Sequence, residues 1–251
     1  MTSRGVYAEL TERITGWIKE RVHGAGMSGV VIGLSGGIDS GVTAALCALA
    51  LGPENVLGLV MPCESISDDT RDGHKTAQHL GISVKEIDLS GVLGVFTVAG
   101  NLDTADILNL ANIKARLRMT MEYAHSGNRL VVGTGNLSET KTGYWTKWGD
   151  GAADFLPIAD LWKDEVRELA RYLELPEWMV ERVPSAGLWL NQSDEDEMGV
   201  TYNEIKNYFA RGTGNVSVEA AERITQLHAS STHKRELIPF YHARGWLDER
   251  Q

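Results

Sequence analysis

Between residues 33 and 40 the chain reads Gly-Leu-Ser-Gly-Gly-Ile-Asp-Ser. Adjacent glycines remove the side chains that would keep a phosphate away from backbone amides, and Ser35 and Ser40 add hydroxyls. Asp39 brings a carboxylate to the same stretch, where a magnesium ion bridging phosphates could use it. The string has neither the Gly-Lys-Ser/Thr ending of a Walker loop nor the three-glycine dinucleotide pattern, so it reads as a different phosphate loop. A bland alternative makes Gly36-Gly37 a tight turn and Asp39 an ordinary helix cap. A second concentration of chemistry lies about a hundred residues on, where Thr134, Glu139, Lys141, Lys147, Asp150 and Asp154 alternate with glycines.

These residues need elements to position them. A short β-branched run at 30–34 stops abruptly at the glycines, and a helical pattern resumes at Asp39, giving strand, loop and helix. Upstream, Val6, Leu10, Ile14, Trp17, Ile18 and Val22 recur at spacings of three and four, which predicts an amphipathic helix. Downstream the alternation continues with strands at 56–61 and 82–87, helices at 68–80 and 103–125, and a strand at 130–133. Such a pattern predicts an α/β fold, an open parallel sheet flanked by helices in the Rossmann-like manner. Roughly thirty aperiodic residues then precede a helix beginning near Lys163; a loop that long at the carboxyl end of a strand is read as a site loop. After Pro176 come short helices and polar turns, and the acidic run 194–197 is read as a solvated face. No repeat or linker divides the 251 residues, so one domain is expected over 1–251, with a substrate-binding segment at about 184–240.

Bulk properties narrow the function classes. With 34 acidic and 24 basic residues the formal charge is -10 at pH 7, which speaks against a broad electrostatic footprint for nucleic acid or anionic membrane. An anionic ligand must therefore meet a local basic site. Neither a signal-like amino end nor an apolar run of membrane-spanning length is read, and a cytoplasmic location is expected. Cys47 and Cys63 match no disulfide framework or zinc spacing and are read as reduced structural thiols.

The loop string after an apolar strand resembles the signature of the PP-loop, or N-type, ATP pyrophosphatases, which cleave ATP between the α and β phosphates. Further strings select among them: Asn112-Ile113-Lys114-Ala115-Arg116, Gly133-Thr134-Gly135-Asn136-Leu137-Ser138-Glu139, Gly143-Tyr144-Trp145-Thr146-Lys147 and Gly149-Asp150-Gly151-Ala152-Ala153-Asp154. With Leu161-Trp162-Lys163, Pro184-Ser185-Ala186, Gln192, Asp194-Glu195 and His233-Lys234-Arg235, they resemble the NAD synthetase family in order and spacing across nearly the whole chain. Some bacterial members carry Asp-His where this chain has Gly135-Asn136 and Ala in place of Ser138, so it looks nearer the branch shared with archaeal and larger glutamine-using synthetases.

The resemblance implies ATP-dependent amidation of deamido-NAD by ammonia, through an acyl adenylate, yielding NAD, AMP and pyrophosphate. It implies Gly33, Leu34, Ser35, Gly36, Gly37, Ile38, Asp39, Ser40, Thr134, Lys163 and Ser185 as ATP contacts. Asp39 and Glu139 are implied as magnesium ligands, and these two with Lys163 as the catalytic set. For deamido-NAD it implies Arg116, Lys147, Asp154, His233 and Lys234, with a homodimer supplying part of that site. Tyr144 and Trp145 are left outside the expected site, since stacking on a substrate and burial explain them equally well. Free ammonia is expected as nitrogen donor, because 251 residues spent on the synthetase pattern leave no room for a glutaminase domain. Two alternatives stay open from residues alone: another PP-loop enzyme, and a nucleotide-binding sensor that would need the loop but not Glu139, Lys147 and Lys163 together.

Overall fold

The computed structural model describes residues 3–64, 67–182 and 193–244. Helix α1 (Ser3–Gly24) leads into strand β1 (Gly29–Gly33) and helix α2 (Ile38–Leu51), followed by β2 (Val56–Val60), α3 (Ser67–Leu80) and β3 (Ser83–Glu86). Next come α4 (Ser90–Ala99), α5 (Ile107–Ala124), β4 (Arg129–Val131), α6 (Leu137–Thr142) and α7 (Lys163–Tyr172). The carboxyl part is helical: α8 (Glu177–Val180), α9 (Asp194–Met198), α10 (Tyr202–Arg211), α11 (Val218–Ser230) and α12 (Thr232–Arg235).

The four strands form one parallel sheet in the order β3-β2-β1-β4, with Val30 opposite Val56 and Leu130, and Gly58 opposite Val84. The central strands are unbroken apolar runs because both faces are covered. Val30 and Ile32 point to a cluster with Val42, Leu46, Val166 and Leu169, so α1, α2 and α7 cover one face. Val31 points oppositely, to Leu57, Leu59, Leu93 and Ile113, which brings α4 and α5 onto the other. A smaller core of Met198, Val200, Tyr202, Ile205, Ala220 and Ile224 joins α10 and α11. The α/β parallel architecture expected from the strand and helix alternation is therefore present.

Two expectations need correction. The long helix does not begin at Asp103: that carboxylate accepts the Ala105 amide at 2.8 Å in a local turn, and the helix is capped by Asp106, whose Oδ1 accepts the Asn109 amide at 3.0 Å. The preceding stretch holds α4, whose sequence Ser-Gly-Val-Leu-Gly-Val-Phe-Thr-Val-Ala is apolar on all sides and so lacks an amphipathic period. It leaves Val95, Phe96 and Val98 exposed. The loop after β4 also contains a helix, α6, closed by a capping box in which Asn136 and Glu139 bond each other's amides. Among the described residues, no helix is long and apolar enough to cross a membrane.

Candidate active site

The chain stays in sheet register just past β1, where the Leu34 amide donates to the Leu59 carbonyl at 2.8 Å, and then turns sharply. Gly36 takes φ +76°, and a Cβ there would lie 2.8 Å from Asp72 Cβ and 3.1 Å from Arg182 Nη1. Both conformation and packing thus require glycine. The cap position of α2 is Gly37, with no side-chain cap bond. Asp39 lies inside the first turn and is not the cap, so the bland reading of its position fails. The amino end of a 14-residue helix is left without a side-chain cap beside a turn of small residues, an arrangement suited to an anion.

Asp39 is one corner of a buried network. Its Oδ2 pairs with Lys163 Nζ at the start of α7, and Lys163 Nζ stands 3.7 Å from Glu139 Oε1. Asn136, fully buried, links the two carboxylates: its Nδ2 donates to Asp39 Oδ1 at 3.1 Å, while its Oδ1 accepts the Glu139 amide at 3.0 Å. Glu139 Oε2 accepts the Asn136 amide at 3.0 Å. Ser138 Oγ accepts the Lys163 amide at 3.2 Å, which ties α6 to the start of α7. Two helix starts and the phosphate loop are thereby fixed around one ammonium.

Burial would strip Lys163 of its proton, but the carboxylates of Asp39 and Glu139 outweigh it and push the pKa up, so the ammonium stays charged. Burial and the nearby Asp39 charge raise Glu139, against the opposing pull of Lys163 and the Asn136 amide. Two carboxylates sharing one lysine leave excess negative charge in a poorly solvated place.

The loop residues other than Gly36, with Glu139 and Lys163, line one cavity of about 800 Å³, together with Thr134 and Lys234. The remaining expected dinucleotide residues sit outside its lining. Arg116, Lys147 and His233 form a chain beside it: Arg116 Nη2 donates to the Lys147 carbonyl at 3.3 Å, and Lys147 Nζ donates to the His233 carbonyl at 2.5 Å. Asp154 lies apart from that chain, its Oδ2 accepting the Val131 amide of β4 at 2.7 Å and its Oδ1 the Tyr123 hydroxyl at 3.3 Å. Lys234 Nζ donates to the Gly143 carbonyl at 2.6 Å and stands 5.5 Å from the Trp145 ring. Ser185, Pro184, Ala186 and Gln192 lie outside the described residues.

Several cavity residues were not picked out from sequence. Tyr144 and Trp145 line it. Gly151 exists to admit Trp145, since a Cβ there would meet its ring at 1.9 Å. Asp194 corrects the reading of the acidic run as a solvated face: it is 4% exposed, its Oδ2 accepts the Tyr202 hydroxyl at 2.8 Å, and its Oδ1 is buried without a hydrogen-bond partner among the described residues. Burial pushes its pKa up, Lys163 pulling the other way. Arg118 and Glu122, one turn apart on α5, face the cavity floor. Arg118 Nε donates to the Met61 carbonyl at 3.1 Å, and Glu122 accepts the Gly33 amide. Glu122 is enclosed by protein except on its cavity side, and burial followed by the Asp150 charge carries it up to about 7. An Arg–Glu pair at i,i+4 is ordinarily a solvent-exposed pair, so nothing in the sequence marked it.

Comparison with known proteins agrees with this geometry. The family model described as NAD synthase matches residues 10–238. The NH(3)-dependent NAD(+) synthetase of Carboxydothermus hydrogenoformans is 43% identical over 236 residues, covering 92% of this chain and 96% of that protein. The enzyme of the same name from Archaeoglobus fulgidus is 42% identical over 248 residues, covering 96% and 99%. Among solved structures, NMN synthetase from Francisella tularensis superposes with a TM-score of 0.89 at 38% identity, covering 94% of this chain and 98% of that one. With a parallel sheet that ends in an uncapped glycine loop beside Lys163, and matches of this extent, the chain belongs to the NAD synthase family.

Proposed function

We propose that the protein amidates deamido-NAD with ammonia at the expense of ATP, releasing NAD, AMP and pyrophosphate. The observation that carries the reading is the placement of Lys163, Asp39 and Glu139 beside the uncapped start of α2, in a cavity large enough for a nucleotide. In the first step a nicotinate carboxylate oxygen attacks the α-phosphorus, the bond to the β-phosphate oxygen breaks, and pyrophosphate leaves with the electron pair. In the second, the ammonia nitrogen attacks the acyl carbon, AMP leaves and a proton is released. Neither step calls for a protein nucleophile. The chain's part is to hold phosphates against the loop amides and a charged Lys163, preorganised where charge develops.

Magnesium is part of the proposal. Among the described residues no group of three or more His, Cys, Asp or Glu could hold a metal unaided. Magnesium in phosphate sites characteristically takes one or two carboxylates and completes its shell with phosphates and water, which suits Asp39 and Glu139. Asp39 and Glu139 share the single Lys163 ammonium, which leaves their excess negative charge a place where added positive charge is favourable. When bound, the ion would neutralise phosphate charge. Thr134 and Ser185 belong to the proposed ATP site with residues 33–40. Arg116, Lys147, Asp154, His233 and Lys234 belong to the proposed dinucleotide site, within one domain whose segment at about 184–240 serves that substrate.

A homodimer is proposed as well, and the exposed Val95, Phe96 and Val98 of α4 with Ile107 and Leu108 of α5 support it as an apolar face for a second copy. A cytoplasmic location accompanies the reading. A second substrate is favoured by the likeness to the Francisella protein, named for making NMN: the acid form of that mononucleotide. The test is to mix the protein with ATP, magnesium, ammonium and either acid, then quantify amide, AMP and pyrophosphate. Equimolar appearance of all three with deamido-NAD is expected; ATP hydrolysis to ADP, or no amide from either acid, would refute the proposal.

A further inference from the structure

Five basic side chains line the described cavity: Arg118, Lys163, Arg182, Lys234 and Arg235. Their positions divide them. Arg118 is held at the floor by the Met61 carbonyl, Lys234 by the Gly143 carbonyl and Arg235 by Ser231 Oγ at 2.6 Å. Only two touch the phosphate loop: Lys163 at Asp39, and Arg182, whose Nη1 donates to the Gly36 carbonyl at 3.3 Å. The two cations bracket the turn from opposite ends of Gly36–Asp39.

Arg182 is also held by α3. Its Nη1 stands 3.1 Å from Asp72 Oδ2, and its Nη2 pairs with Asp69 Oδ1. A guanidinium has five N–H donors in a fixed fork. Three are used by these contacts; Nε–H and the second Nη2–H have no other partner among the described residues. The side chain is 26% exposed, so the fork is oriented from behind yet remains open to the cavity.

Charge gives it a purpose. ATP brings three phosphates to a site that already holds Asp39, Glu139 and Asp194, against which Lys163 is the one other cation at the loop among the described residues. We propose that Arg182 receives the pyrophosphate half of ATP, closing on the β and γ phosphates from the Gly36 side while Lys163 serves the reacting phosphate. The inference rests on the ATP-dependent reading above and adds a residue to it. Planar, paired donors match a phosphate face as a lysine cannot. Asp69 and Asp72 then position the fork, and the absence of a Cβ at Gly36 lets the guanidinium reach the turn.

The competing reading is a brace that merely fastens α3 to the loop. Calorimetric binding of magnesium pyrophosphate and, separately, of AMP to the wild-type protein, Arg182→Gln and Arg182→Lys separates the two, and needs no nicotinate substrate. Loss of a charged donor pair should weaken pyrophosphate by about tenfold or more in Arg182→Gln, with a smaller loss in Arg182→Lys, while AMP binding stays within about twofold. Equal weakening of pyrophosphate and AMP, unchanged pyrophosphate binding, or no pyrophosphate binding by the folded wild type would overturn the proposal. Should wild type bind pyrophosphate through Arg182 yet form no amide from either acid, the amidation reading fails and the Arg182 assignment stands.

Discussion

Replacing Glu122 by glutamine should stabilise the ligand-free protein, and more so as pH rises. In the folded protein the carboxyl is enclosed beneath the loop, accepting the Gly33 amide with Arg118 and Asp150 nearby, and its pKa is carried from 4.5 to about 7. Each unit of pKa corresponds to about 1.4 kcal/mol, so the full cost of ionising Glu122 in place is about 3.5 kcal/mol. Solvent screening from the cavity side reduces this to about 2 kcal/mol. The sign follows from proton counting: between the unfolded and folded pKa values the folded state binds more protons, so stability falls as pH rises. Below about 4.5 both states are protonated and the stability is fully present; above about 7 it is lost. Glutamine keeps an oxygen for the Gly33 amide and never ionises. Urea unfolding of both proteins at pH 5.5 and 8.5 should show the advantage of Glu122→Gln growing by roughly 1–2 kcal/mol, or a few degrees in melting temperature for a chain of this size. Other titrating groups are common to both proteins and cancel in the difference. An advantage constant with pH to within about 0.3 kcal/mol would show that Glu122 ionises freely in the fold and that its burial has been misjudged.

Three further outcomes bear on the chemistry. Asp39→Asn and Glu139→Gln should each raise the magnesium concentration needed for half-maximal pyrophosphate release while leaving the circular dichroism unchanged; wild-type turnover at limiting magnesium would remove that residue from the ligand set. Lys163→Ala should slow single-turnover pyrophosphate release by about 100-fold or more, whereas Lys234→Ala should chiefly weaken deamido-NAD binding, and matching defects in the two variants would defeat this division of roles. Ammonia-free glutamine should yield no amide, because both cysteines are buried and the Cys47 thiol is pushed up to about 12, far from a reactive thiolate; amide formed from glutamine at the rate seen with ammonium would refute this.

Legibility followed the range of the interactions. The phosphate loop could be read because its signals are adjacent: a buried apolar strand, a pair of glycines and a helix start lie within a dozen residues, and the parallel sheet repeats that local grammar. Helix α4 could not, since a helix apolar on every side presents no period, and Val95, Phe96 and Val98 stay exposed in it. The start of α5 was misplaced by one cap, because Asp103 and Asp106 are both plausible caps and only the turn geometry chooses. At the site, resemblance singled out Asp39, Glu139 and Lys163 individually, but their mutual arrangement depends on Asn136, whose amide reaches across 97 residues to Asp39. Asp194 was misread for a similar reason: in a run of four acidic positions Asp194 takes the Tyr202 hydroxyl, Glu195 the Tyr202 amide and Glu197 the Tyr144 hydroxyl, and the run itself carries no mark of those partners. Arg182 stands two residues before the Pro184-Ser185-Ala186 string without belonging to it, and its contact with Gly36, 146 positions earlier, is made only by the fold. The residues that hold and balance charge at this site are thus set by contacts of long sequence separation, which is why the loop can be recognised from a string of eight residues while the network that fixes it needs the folded chain.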